Sequence, residues 1–123
     1  MNGKGKAFWA GWVLSGLTVP LFAFSAIMKL RGGAELEQGF AHLGLPISLR
    51  VPLGILELVC LVVYLVPRTA VLGGILMAGY LGGAICTHLR VGDPVIMPAL
   101  LGIVLWLGLW LRDKRLRALL PLT

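Results

Sequence analysis

The chain has 123 residues, of which 59% are hydrophobic and 13% are charged. Soluble domains contain about 45–50% apolar and about 25% charged residues, so this composition argues against a soluble domain. The length leaves room for a single domain, which we assign to residues 1–123. The net charge of +6 is carried by basic residues near the ends of apolar runs. That placement favours contact with lipid headgroups and argues against a nucleic-acid partner.

The first apolar run covers residues 7–28, with Lys4 and Lys6 before it and Lys29 and Arg31 after it. A basic start followed by an apolar stretch also fits a signal peptide. Because the chain retains this segment, we interpret it as the first transmembrane helix.

A short amphipathic segment, residues 34–43, follows the helix-breaking pair Gly32 and Gly33. Leu36 and Phe40 lie on one face of a helix here, and the charged side chains lie elsewhere on it. We predict that this segment lies on the membrane surface or caps the helices.

Three further apolar runs cover residues 51–66, 70–90 and 95–111. Residues 67–69 form a connection short enough to make the second and third helices an antiparallel hairpin, and residues 92–94 form a second turn. The sequence therefore predicts an all-α fold. Its architecture is a four-helix transmembrane bundle with the short amphipathic segment between the first two helices.

The third of the four predicted spans, residues 70–90, begins with eighteen uncharged residues, 70–87. A helix of that length spans about 27 Å, enough to cross the hydrocarbon core of a bilayer. Its small residues recur at every fourth position and so share one face; they are Ala70, Gly74, Ala78 and Gly82. Small residues let helices approach closely in lipid, so we predict that these four pack against neighbouring helices.

Basic residues are distributed unequally between the two ends of the predicted bundle. Four spans place both termini on one side, together with a basic tail at residues 112–117. That side carries seven of the eleven lysines and arginines, and the other side carries four. The positive-inside rule then predicts that both termini are cytoplasmic.

Glu57 is the one acidic residue inside an apolar run, where an ionisable group is costly and indicates a function. In this topology it lies about 8 Å below the outer surface. Lys29 and His88 lie near the same outer ends of their helices, and Tyr80 lies two turns inward from His88. Two interpretations remain open. Glu57 pairs with Lys29 or His88 in a polar cluster without a ligand, or these residues line a pocket that binds a ligand or transfers protons.

The sequence contains no phosphate-binding loop, dinucleotide-binding motif, serine nucleophile motif or HExxH motif. Cys60 and Cys86 do not form a CxxC pair, and Cys86 with His88 provides too few ligands for a metal. We therefore predict no metal site and no intrinsic cofactor. The pattern favours a chain without enzyme activity of its own and leaves that question open.

Six short motifs follow one another along the chain in a particular order and spacing. They are Lys29 after the first run, LGLP at 43–46, GxxE at 54–57, PRTA at 67–70, YxGGA at 80–84 and THLRxGD at 87–93. Together they resemble the DoxX-like family over most of the chain. The resemblance implies a small bacterial integral membrane protein with four helices in the cytoplasmic (inner) membrane.

The resemblance also carries functional expectations. The family takes its name from a subunit of a thiosulfate:quinone oxidoreductase, and some relatives associate with redox enzymes at the membrane. Its recurring polar positions correspond to Lys29, Glu57 and His88. A redox role for this chain would need a partner or a bound quinone.

Three hypotheses for the function follow. The first is an accessory or ligand-binding membrane subunit, linked to quinone or redox chemistry, with a bound quinone or lipid in the outer half. The second is a non-catalytic scaffold or assembly factor for a membrane protein partner. The third is a small proton-coupled transporter. Because one chain offers no inverted repeat, this transporter would have to work as a homo-oligomer.

Overall fold

The structure, a computed structural model, describes residues 5–120. All regular elements in this range are helical, and short 3-10 turns at Ile47–Leu49 and Pro67–Thr69 precede two of the α-helices. The six α-helices are α1 (Lys6–Arg31), α2 (Ala34–Leu43), α3 (Arg50–Leu65), α4 (Ala70–Arg90), α5 (Ile96–Arg112) and α6 (Lys114–Leu119).

The four longest helices pack around a common core. Helix α1 packs against α3 and α5, and α4 packs against the same two helices, so α1 and α4 lie diagonally opposite each other. Gly54 of α3 lies beside Ala26 of α1, and Gly11 of α1 lies beside Gly108 of α5, so these neighbours run antiparallel. We call the end covered by α2 the α2 end, and the opposite end, where α5 leads into α6, the α6 end.

The predicted all-α fold is confirmed, and the amphipathic segment forms α2 with the predicted bounds. Phe40 of α2 is buried, so this helix caps the helices beneath it. In the described part of the chain, three helical stretches are long and apolar enough to cross a membrane: Lys6–Arg31, Ile47–Leu65 and Pro67–Arg90. Helix α5 is apolar but shorter, with 17 residues.

The basic segment at residues 112–117 is largely helical. Arg112 ends α5, and Lys114–Leu119 form α6. The carboxylate of Asp113 accepts hydrogen bonds from the backbone N–H groups of Arg115 and Leu116, which is the usual N-cap arrangement. Lys4, one of the seven basic residues assigned to this side, lies outside the described residues.

Glycines set the closest approaches between helices. A Cβ on Gly73 would overlap the backbone of Tyr64, so α3 and α4 touch main chain to main chain. A Cβ on Gly11 would lie 2.6 Å from the carbonyl oxygen of Gly108, so α1 and α5 also touch main chain to main chain. Such approaches increase the dispersion contacts that hold helices together in lipid.

The predicted small-residue face of α4 divides into two halves. Ala70 and Gly74 are buried, and a Cβ on Gly74 would lie 2.8 Å from Leu109 Cδ2 of α5. Ala78 and Gly82 are exposed, and nothing lies within 4 Å of a Cβ placed on Gly82. Within the described residues, the close packing of this face is therefore confined to the first two turns of α4, and a packing role for Ala78 and Gly82 stays a prediction.

We expect Gly73→Ala to lower the free energy of unfolding by about 1–3 kcal/mol, because the new methyl group pushes two backbones apart. Gly82→Ala is the matched control on the same helix. It should leave stability unchanged or raise it by up to about 1 kcal/mol through better helix propensity. Chemical unfolding in a mild detergent measures both values. An equal loss in the two variants would contradict the assignment and indicate that a second chain covers Gly82.

Candidate functional site

Glu57 of α3 lies at the centre of a buried polar network near the α2 end. Its side chain is 2% exposed, and Oε1 accepts hydrogen bonds from Lys29 Nζ at 3.1 Å and Ser25 Oγ at 3.1 Å. The hydroxyl of Tyr80 donates to the same oxygen at 3.0 Å. Lys29 also donates to Ser25 Oγ at 2.7 Å. One carboxylate oxygen thus joins α1, α3 and α4.

A glycine one turn before Glu57 allows this contact. A Cβ on Gly54 would lie 3.1 Å from both the Ala26 carbonyl oxygen and Lys29 Cβ, so α1 and α3 are closest here. Arg50 holds the end of α1 in place, because its Nη1 donates to the carbonyl oxygens of Lys29 and Leu30 at 2.8 Å. These carbonyl groups have no partner inside the helix, so Arg50 acts as a side-chain cap.

A cavity of about 480 Å³ lies between α2 and the network. Its walls are mainly leucines from α2, α3 and the intervening loop, together with Phe40. Five side chains provide polar groups in the lining: Lys29, Glu35, Tyr80, Thr87 and His88. Gly83 of α4 faces it without a side chain, and nothing lies within 4 Å of a Cβ built there. Volume and lining are typical of a small-molecule pocket, which is mostly apolar with a few polar groups.

His88 lines this cavity but pairs with a different acid. Its Nδ1 lies 3.2 Å from Asp93 Oδ2, and His42 Nε2 of α2 lies 2.9 Å from Asp93 Oδ1. Arg90 donates to the Leu43 carbonyl oxygen at 2.7 Å. These bonds attach α2 to the loop between α4 and α5. They do not form a metal-binding arrangement within residues 5–120.

The two histidines change the acidity of Asp93. Hydrogen bonds from His42 and His88 hold the pKa of the Asp93 carboxyl below its ordinary range, and the charges of the two rings act in the same direction. Asp93 lies in the loop, outside the span-capable helices.

The structure therefore brings together three of the four residues selected from the sequence. Lys29 and Tyr80 both donate hydrogen bonds to Glu57. His88 contributes to the cavity wall and pairs with Asp93 instead of Glu57. Sequence reasoning did not include Ser25 in the network. The signal was available, because Ser25 lies four residues before Lys29 and so shares its helix face.

A double-mutant cycle tests the pairing in the network. Removing one partner of this buried pair, by Glu57→Gln or Lys29→Met, should cost about 3–5 kcal/mol. The double variant should cost less than the sum, with a coupling energy of about 0.5–3 kcal/mol in detergent unfolding. Glu57→Gln combined with His88→Gln is the control and should be additive. Additivity in the Lys29 cycle would mean that the two charges do not interact.

Asp93→Asn should loosen α2 at neutral pH, because both histidines lose their anionic partner. A lowered carboxyl pKa contributes stability above the ordinary aspartate value of about 3.9, and that contribution disappears as pH falls through the lowered value. Hydrogen–deuterium exchange of the α2 amides should therefore be several-fold faster in Asp93→Asn at pH 7. Asp113→Asn, the same change at the α6 end, should leave these amides unaffected. Unchanged exchange in Asp93→Asn would show that other contacts hold α2.

Comparison with known proteins gives one match. The DoxX-like family matches residues 13–108, a range that includes α2, α3 and α4 and most of α1 and α5. Neither the characterised proteins nor the solved structures give a significant match. The range contains all the residues of the Glu57 network and those of the α2 attachment. The chain belongs to the DoxX-like family, and its apolar, span-capable helices identify it as a small membrane protein.

Proposed function

We propose that this protein is a ligand-binding accessory subunit of the bacterial inner membrane, and that the cavity beneath α2 holds a lipid-soluble molecule of the quinone class. The observation that carries the proposal is the combination of a cavity of about 480 Å³, leucine-rich walls and a cluster of polar side chains. A quinone matches both parts of this lining, since its apolar tail suits the leucine-rich walls and its ring carbonyl oxygens accept hydrogen bonds from the polar side chains.

Four spans are part of the proposal. Helix α5 has 17 residues and covers about 26 Å, close to the lower limit for crossing a hydrocarbon core. All four long helices present large apolar side chains outward, including Phe24 of α1, Val62 of α3, Ile75 of α4 and Ile103 of α5. An apolar surface of this kind on every side is unfavourable in water and is satisfied by lipid.

The orientation follows from the basic residues. Within the described range, six lysines and arginines belong to the α6 end and four to the α2 end; the six are Lys6, Arg68, Arg112, Lys114, Arg115 and Arg117. By the positive-inside rule the α6 end and both termini face the cytoplasm. The cavity then opens in the outer half of the membrane.

The polar groups of the cavity match the acceptors of a quinone ring. Lys29 has three N–H donors, and Ser25 and Glu57 use two of them. His88 uses Nδ1 for Asp93, which leaves its Nε2 for a ligand. A quinone oxygen placed between Lys29 and His88 would therefore receive donors without breaking the Glu57 network. Electron transfer would be the task of a partner protein, with this chain holding the ring and excluding water.

A second function, that of a scaffold for a membrane partner, is supported by a different observation. Ala78 and Gly82 of α4 form an exposed small-residue surface that nothing in residues 5–120 covers. Surfaces of this kind receive a helix from another chain in lipid. A subunit that binds a quinone and docks a redox partner would use both features.

The cavity is tested by filling it. Gly83→Leu places a side chain in the cavity, whereas Gly79→Leu, one turn away on the same helix, adds the same side chain outside the cavity lining. Native mass spectrometry with decylubiquinone should give a one-to-one adduct for the wild type and for Gly79→Leu. The new leucine should displace about three methylene groups of the quinone from the cavity. This loss of apolar burial should reduce the Gly83→Leu adduct more than tenfold. An adduct that persists in Gly83→Leu would place the quinone outside this cavity, and the absence of an adduct in the wild type would contradict quinone binding altogether.

A further inference from the structure

Arg112, the last residue of α5, is buried at the α6 end. It is 8% exposed, its Nε donates to Ser15 Oγ at 3.0 Å, and its Nη2 donates to the Tyr64 carbonyl oxygen at 2.9 Å. The guanidinium carbon lies 4.1 Å from the Trp12 ring centre and 4.9 Å from that of Tyr64. Helices α1 and α3 therefore hold this side chain in a fixed position.

This buried cation has no acidic partner within residues 5–120. None of the four ion pairs in that range includes Arg112. The adjacent Asp113 accepts from Arg115 at 3.0 Å and caps α6. Neutral acceptors and aromatic faces lower the energy of a buried charge, but they do not neutralise it. An anion beside Arg112 would.

A second cavity, of about 500 Å³, lies beside this arginine. Its lining consists of Phe8, Trp12, Pro67 and residues 112–115. Three of these side chains are cationic and one is anionic, so the cavity carries an excess of positive charge. Lys114 is exposed and has no hydrogen-bond partner in the described part of the chain. Arg112 uses two of its three nitrogens, which leaves Nη1 for an outside acceptor.

The position of the cavity indicates the kind of anion. It lies where α1 begins and α5 ends, which in the proposed four-span arrangement is the level of the lipid phosphates. Phe8 and Trp12 supply aromatic surface at the same level, where such residues favour the interface. Guanidinium and ammonium groups bind phosphate oxygens through charge-assisted hydrogen bonds.

We propose that this cavity binds the phosphate of an anionic phospholipid, with Arg112 and Lys114 as the contacting cations. The site lies at the opposite end from the cavity under α2, so the two proposals stand or fall separately. Arg112 also supports the fold through Ser15 and Tyr64, whereas Lys114 has only the proposed role.

The test uses the purified protein in neutral detergent. Native mass spectrometry compares phosphatidylglycerol, phosphatidylcholine and inorganic phosphate as probes. The wild type should retain phosphatidylglycerol and release phosphatidylcholine. Lys114→Gln should weaken phosphatidylglycerol binding about fivefold, the effect of one basic residue near an anionic lipid. Arg68→Gln removes a charge from the same end but outside the cavity lining, and should leave binding unchanged.

Three outcomes would overturn the proposal. Equal retention of the two lipids would remove the requirement for a net anionic headgroup. Equal weakening of phosphatidylglycerol binding in Lys114→Gln and Arg68→Gln would mean that general surface charge, and not the cavity, attracts the lipid. Complete displacement of phosphatidylglycerol by inorganic phosphate at the same concentration would assign the site to a free anion. Because Lys114 is exposed, circular dichroism should show the Lys114→Gln variant folded, so each result can be read directly.

Discussion

The carboxylate of Glu57 is the interaction on which the α2 end depends. In a lipid-facing bundle no hydrophobic force draws helices together, so polar bonds and close packing must hold them. Glu57 receives its donors from Ser25, Lys29 and Tyr80 on two other helices, and Gly54 makes the approach short enough. The cost of leaving this carboxylate unpaired therefore fixes three helices relative to one another.

The two ends of the bundle handle buried charge differently. At the α2 end a carboxylate meets a lysine, so the network is internally neutral. At the α6 end the guanidinium of Arg112 meets a hydroxyl, a carbonyl group and two aromatic rings, so the charge persists. The first arrangement is complete without a ligand and borders a cavity. The second is electrostatically incomplete and borders another.

Much of the fold could be read from the sequence because apolar runs and glycine or proline turns are local signals. The Lys29–Glu57 contact was one of the two pairings left open by the sequence, since Lys29 and His88 both lie near helix ends on the same side of the bundle as Glu57. The pairing of His88 could not be read in this way. It depends on the turn at Gly92, whose φ of 77° lets the chain return so that the Asp93 N–H bonds to the His88 carbonyl oxygen.

The Arg112 cluster was hidden for another reason. Its partners Ser15 and Tyr64 lie 97 and 48 residues away in the chain, and they belong to α1 and α3, so the cluster depends on the packing of three helices. Among basic residues at a helix end, the sequence offers no signal for which one turns inward.

The unequal lengths of two neighbouring helices have a consequence for the surrounding bilayer. Helix α1 has 26 residues and α5 has 17, or about 39 Å and 26 Å along their axes. A hydrocarbon core of about 30 Å is shorter than the first and longer than the second. In the proposed four-span arrangement, the membrane therefore thins beside α5 or α1 tilts, each at a fraction of a kcal/mol per Å of mismatch. Deformation of this kind draws a protein into thinner membrane regions, and it attracts neighbours that share the same thinning to the α5 side.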